Sequence, residues 1–287
     1  FPDTLYDAGQ LNFLSYAPCV FKNTFKDGLH KALTAHRTKT GKAFNNYGPI
    51  VGCHDFSDDP YKDLWHEPDI DSLPDALASK GISDFLRRQF MERFVKRGCF
   101  TNVWGRPVHP MFQKAGLIDP DGWFTVYSVM PFVMLADMRK LGSLPPPKRW
   151  SDLIQPHYRD SVIFAGPGDR LADTPLFHLW AQHGEDGLTQ LADNVKYVWS
   201  GAEIAKEAGS TNPSGAAIYV LNWFFARSCP RTDVTKIIWP DDGAIAAPIY
   251  LLVKKNRVRE AAAAIDYIFS TEFGNSSAQS CFPVAHP

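Results

Sequence analysis

Residues 124–158 read FTVYSVMPFVMLADMRKLGSLPPPKRWSDLIQPHY, and a change of character within this stretch organises the whole chain. Phe124 to Ala136 is strand-like, dense in Val, Phe, Met and Leu. Beyond it Leu144 leads into Pro145, Pro146, Pro147 and Lys148. Three fixed φ angles and three missing N–H donors disfavour continuation of either a helix or a strand ladder. A stiff connection of this kind marks a transition between domains, and 287 residues are enough for two modest ones.

Outward toward the N-terminus, Leu73 to Ser79 reads as a buried strand. Ser83 or Asp84 then caps a helix that turns Phe85, Leu86, Phe90 and Phe94 inward and ends at Gly98. Before these, Leu11 to Ser15 is a short apolar run broken by Pro18, and Phe21, Phe25, Leu29 and Leu33 repeat at helical spacing. Outward toward the C-terminus, Ser161 to Phe164 begins a new strand and Gly166 to Asp169 forms a turn. Thr174 and Pro175 open a helix that stops before Gly184. A helix is expected from Pro213, capped by Asn212, through Ala217, Leu221, Phe224 and Phe225, ending before Pro230. Val234 to Trp239 and Ile245 to Val253 read as strands around the turn Pro240-Asp241-Asp242-Gly243. A last helix, capped by Asn256, buries Val258, Ala261, Ala262, Ile265 and Phe269. Repeated alternation of strand and helix predicts open α/β sheets with helices on both faces, in which ligands bind beyond the carboxyl ends of the strands.

The chain is 45% hydrophobic and 21% charged, ordinary for a globular protein, with a formal net charge of −1 and no Lys/Arg run, which removes the basic field that nucleic-acid binding needs. Apolar stretches such as Val129 to Ala136 and Ala244 to Val253 are about half of the roughly 20 residues of a membrane span. Phe1 to Gln10 has no Met, basic region or apolar core, so any secretion signal is expected to have been removed already. Five dispersed cysteines form no C-x-x-C pair and leave the compartment open. Cys19 and Cys53 either pair across the first domain or are buried thiols.

Three segments carry a resemblance to a known family. Pro147, Trp150, Asp152, Leu153, Pro156 and Tyr158 match the pattern P-x-x-W-x-D-L-x-x-P-x-Y. Pro240, Gly243 and Ala244 match P-x-x-G-A. The close, with Ala261 to Ala264, Phe269, Ser270 and Glu272, is an Ala-rich helix followed by an F-x-S-x-E-like stretch. In this order, over roughly Leu11 to Pro287, the chain resembles type 2 periplasmic binding proteins of ABC importers, in the group related to ferric-ion, polyamine and thiamine binders. Those relatives often continue into further helices where this chain ends soon after Pro283, leaving a shortened or processed C-terminus open.

The resemblance implies an α/β, two-lobe fold, each lobe a mixed sheet flanked by helices, joined by two crossing hinge segments. Residues 1–136 would form the first part of the N-terminal lobe, 137–233 an inserted second lobe, and 234–287 the return. It further implies a solute-binding component that closes on a small molecule or ion in the interlobe cleft and docks on ABC permease subunits. Such a protein is a periplasmic or extracellular monomer, free or membrane-anchored, without catalytic residues, cofactor, resident metal or nucleic-acid partner.

On that architecture the loops after the strands become candidate ligand contacts. Ser15 and Tyr16 offer hydroxyls at a strand end, or an ordinary capping turn; Ser79, Lys80 and Gly81 offer a hydroxyl, a cation and close backbone approach, unless Lys80 faces solvent. In the loop from Gly166 to Thr174, Asp169 and Arg170 lack a Walker pattern, and either cap the helix or meet a charged ligand. Asp241 and Asp242 form a turn or pair with an amine or metal. Trp223 and Trp239 could face an organic cation, although most aromatics must be core. Tyr219 is the preferred exception, a phenol on a helix flanking the cleft. The family's ferric members use neighbouring tyrosines there, but Val220 follows Tyr219, so that pair is missing. The nine histidines form no tight ligand pattern; His178 and His183 are five apart. Two alternatives share this scaffold: an enzyme using Asp169, Asp173 or Asp241 with a histidine, although no G-x-S-x-G, H-E-x-x-H or nucleotide fingerprint occurs, and a sensory domain reusing the binding fold.

Overall fold

A computed structural model describes residues 10–18, 20–48, 59, 61–81, 84–105, 107–166 and 171–286. The chain divides into two compact units, residues 1–129 with 248–287, and residues 130–247. The strands are β1 (Leu11–Ser15), β2 (Phe44–Tyr47), β3 (Ala76–Lys80), β4 (Phe100–Thr101), β5 (Thr125–Asp137), β6 (Val162–Ala165), β7 (Val195–Trp199), β8 (Ile218–Asn222), β9 (Thr235–Ile238) and β10 (Ile245–Lys254). Both change-overs fall inside the long strands β5 and β10, whereas the sequence expectation set them at 136/137 and 233/234. A strand that runs through a change-over carries no local break in composition.

In the first unit β1 lies between β2 and β3, parallel to both, and β10 runs antiparallel to β3. The helix Lys22–Thr40 follows β1 as its spacing predicts: Phe25, Leu29 and Leu33 are buried, and Gly41 ends it at φ +73°. Phe25 sets its ring edge-on to Phe273 of the helix Thr271–Gln279, with centroids 5.5 Å apart, and Tyr127 and Tyr267 complete this aromatic core. The helix expected from Asp84 is a 3-10 turn, Asp84–Leu86, then one α-turn running into a π-turn, Met91–Val95. Phe85, Phe90 and Phe94 are buried as expected. Ser83 lies outside the described residues. Asn256 does not cap the last helix: it sits within the 3-10 turn Lys255–Arg257, and the helix Ala262–Ile268 starts after Ala261.

In the second unit β6 is parallel to β7 and β8, and β5 is antiparallel to β8 and β9. Alternate residues of these strands feed cores on the two faces: Val162, Phe164, Ile218 and Val220 on one, Ile163, Ala165, Tyr219 and Leu221 on the other. Burial on both sides explains why these strands read as continuous apolar runs.

Three helix readings are corrected here. Asn212 and Pro213 start no helix; residues 218–222 are β8, and only Trp223–Arg227 is helical. The helix Asp173–Asn194 begins after Ala172, so Thr174 lies in its first turn and is not its cap. Gly184, at φ +64°, interrupts that helix where the sequence placed its end, but the chain resumes helical conformation to Asn194.

The first family-like segment is a staple. The Asp152 carboxylate accepts the N–H groups of Lys148 (2.6 Å) and Arg149 (2.9 Å), and Asn194 donates to the carbonyls of Leu153 and Gln155. Trp150, fully buried, donates its indole N–H to the Gly243 carbonyl at 2.8 Å, and the Asp241 N–H bonds the Lys148 carbonyl at 2.7 Å. The first two of the three family-like segments thus clamp each other in space.

Candidate functional site

Parallel strands bring their carboxyl ends to one edge of a sheet, and in each unit that edge gathers polar and aromatic groups. In the first unit the registers place the ends of β1, β2 and β3 side by side: Ser15 and Tyr16, Tyr47, and Ser79 with Lys80. Ser15 and Ser79 are buried; the Ser15 hydroxyl donates to the Tyr47 carbonyl at 3.1 Å, tying β1 to β2. Tyr16 donates its N–H to the Ala78 carbonyl and its hydroxyl to Asp59 at 2.7 Å, while Asp59 also accepts the Tyr61 N–H at 2.9 Å. Burial, reinforced by Asp59, pushes the Tyr16 phenol far above its ordinary pKa, so it stays a neutral donor. The Tyr47 and Tyr61 rings lie 6.0 Å apart beside it.

Lys80 closes β3 opposite Ile249 of β10 and is partly buried. Burial, with Lys22 adding repulsion, lowers its pKa to about 8. Gly81 adopts φ +64°, donates its N–H to the Pro248 carbonyl, and has open space where a Cβ would project. A side chain there would be strained and would fill that space.

In the second unit β6, β7, β8 and β9 all end at one edge, since β5 is antiparallel to both β8 and β9. The groups at these ends are Gly166, Trp199, Asn222 with Trp223, and Trp239. Trp199 stacks on Tyr197 with planes 5° apart, and Trp223 meets Trp239 edge-on at 5.1 Å. Trp239 is 50% exposed, and the Asn222 side-chain amide is buried with no hydrogen-bond partner among the described residues. Ser200 caps the next helix by accepting the Glu203 N–H at 3.0 Å.

The sequence candidates divide accordingly. Ser15, Tyr16, Ser79, Lys80 and Gly81 come together at the first unit's edge, and Thr174 stands in the first turn of the helix after β6. Asp169 and Arg170 lie outside the described residues, as do Cys19 and Cys53. Asp241 and Asp242 are exposed in the turn closed by the Gly243 N–H to the Pro240 carbonyl, and Asp242 accepts the Trp150 N–H. Tyr219 is not on a helix: it points from β8 into the core, fully buried, its hydroxyl accepting the Ala216 N–H at 3.0 Å. Burial pushes it up to about 12. Among the described residues no group of three or more His, Cys, Asp or Glu is placed to hold a metal.

Tyr47, Asp59, Tyr61, Trp199 and Asn222 were missed. Tyr47 ends a strand of sequence FNNY, which carries no apolar run, and Asp59 belongs to no element. Trp199 was findable: Val195-Lys196-Tyr197-Val198-Trp199 is followed by Ser200 and, three residues on, Glu203, a helix-start signature.

No curated protein sequence matches the chain. Among solved structures, an ABC transporter protein from Clostridium perfringens is 15% identical over 96% of this chain and 84% of its own, with a TM-score of 0.61. The periplasmic binding protein AfuA from Actinobacillus pleuropneumoniae, solved with fructose-6-phosphate, is 12% identical over 98% and 85%, at 0.59. The apo ferric ion-binding protein A of Pasteurella haemolytica is 16% identical over 95% and 82%, at 0.56. These likenesses establish the periplasmic-binding-protein fold. Residues 71–287 match the model of one sequence family, and on that match the chain belongs to the bacterial extracellular solute-binding proteins.

Proposed function

We propose that this chain is the solute-capturing component of an ABC importer, working outside the cytoplasm and delivering a small solute to permease subunits. Family membership over residues 71–287 is the observation that carries this reading. The sheet edges support it chemically. They hold hydrogen-bonding groups, a cation and half-exposed indoles at strand ends, where open α/β sheets take ligands. The chain works by binding, as a monomer and without chemical turnover. At the first unit's edge, taken by itself, Ser79, Lys80 and Gly81 are the groups proposed as solute contacts; at the second unit's own edge the corresponding groups are Thr174, Asn222, Trp223 and Trp239. Tyr219 and Asp242 are assigned to structure.

Native mass spectrometry of protein purified without stripping tests the reading. A small non-covalent mass at one per chain, exchangeable on dialysis and absent after unfolding, is expected. Conversion of that compound by the purified protein would instead establish an enzyme.

A further inference from the structure

The carboxyl edge of the second unit, taken by itself, carries a group of indoles. Trp199 ends β7, Trp223 opens the helix Trp223–Arg227 after β8, and Trp239 follows β9. Trp199 and Trp223 pack against the same core, that of Tyr219 and Leu221. The helices that follow these two indoles lie against each other: Gly201, first residue of the helix Gly201–Glu207, is so close to the Phe225 ring that a Cβ would overlap it. Trp239 joins the group by meeting Trp223 edge-on with centroids 5.1 Å apart, and Tyr197 joins it by stacking on Trp199. Trp239 is 50% exposed and Tyr197 45%. Exposed apolar surface gathered at a strand-end edge marks a place to bind, whereas scattered single residues need no account. Charges of both signs stand by it. The Arg227 guanidinium lies 5.8 Å from the Trp223 centroid and the Lys196 ammonium 5.7 Å from that of Tyr197, so an organic cation would meet like charge. Asp241 is exposed two residues beyond Trp239 and disfavours an anion. Asn222, the residue before Trp223, has its amide nitrogen buried with no hydrogen-bond partner among the described residues. A buried donor left unpaired is costly, and an acceptor brought by a ligand removes that cost.

We propose that the solute presents a flat, uncharged, unsaturated ring to Trp239 and Trp223 and a carbonyl or ring-nitrogen acceptor to the Asn222 amide, the chemistry of a nucleobase or a heteroaromatic amide. This rests on the solute-binding reading and narrows it. The edge-on contact with Trp223 leaves half of the Trp239 surface for a ring to cover, and offset stacking there adds to the apolar area removed from water. The acceptor beside the ring fixes its orientation, because a planar molecule held on an indole alone is free to slide and turn.

The test is titration calorimetry of the full chain with uracil, adenine and nicotinamide, against glucose, spermidine and inorganic phosphate. At least one of the three rings binds, and more tightly than any of the other three compounds. Trp239→Leu weakens it by about tenfold or more, while Trp239→Phe, which keeps a ring to stack on, retains most of the affinity. Asn222→Asp replaces the amide donor by a second acceptor and also weakens it by about tenfold or more. Circular dichroism establishes that the three variants fold. Preference of the native chain for glucose, spermidine or phosphate overturns the ring inference and leaves solute capture standing, as does ring binding unchanged within about twofold in Trp239→Leu. Binding of none of the six also overturns it, while solute capture is judged separately by the mass carried by the native protein.

Discussion

Removing the Asp75 carboxylate should destabilise the first unit without touching its solute edge. Asp75 lies before β3, with a side chain 9% exposed. It accepts the Asn12 N–H at 2.9 Å and the Arg257 guanidinium at 3.1 and 3.3 Å, with the Lys254 ammonium at 3.8 Å. Asp75→Ala strands Lys254, whose side chain is 8% exposed and whose pKa burial already lowers, and leaves the Asn12 N–H without its acceptor. Breaking a buried ion pair on one side costs about 3–5 kcal/mol. Arg257 is 22% exposed and keeps its bond to the Gln10 carbonyl, which places the expected loss near the lower end, about 3 kcal/mol. Asp75→Ala/Lys254→Met removes both charges and should recover about half of that loss. The assay is urea unfolding followed by circular dichroism, read on the transition of the first unit because two compact units need not unfold together. A single variant that loses under about 1 kcal/mol, or a double variant no more stable than the single, would refute the reasoning.

Gly28 faces Tyr267 so closely that a Cβ would overlap the phenolic oxygen. Gly28→Ala should therefore cost about 1–3 kcal/mol by thermal or urea unfolding, with partial recovery in the Tyr267→Phe background. Tyr219→Phe removes the acceptor of the Ala216 N–H, so a loss of about 1 kcal/mol is expected while affinity for the solute stays the same. A large drop in affinity with unchanged stability would return Tyr219 to the binding surface.

Local pattern was enough where a helical spacing or an apolar run is complete within one element. The four-residue spacing of Phe25, Leu29 and Leu33 located the helix Lys22–Thr40, and the apolar runs located β1, β5 and β10, because each signal is written within one element. The segments around Trp150 and Gly243 were legible as a family pattern, but that they clamp each other is a fact of three dimensions. Tertiary structure decided the rest. Residues 218–222 are apolar on both faces, a strand buried twice carries no period, and a helix was read where β8 runs; Tyr219 went with it from a cleft to the core. The edge where Ser15, Tyr47 and Lys80 meet depends on strand order and register, set by pairing between residues 33 apart in the chain for β1 with β2 and 63 apart for β1 with β3. Lys80 illustrates the division: the sequence placed a lysine after a strand, and only the pairing of β3 with β1 and β10 determined which groups stand beside it.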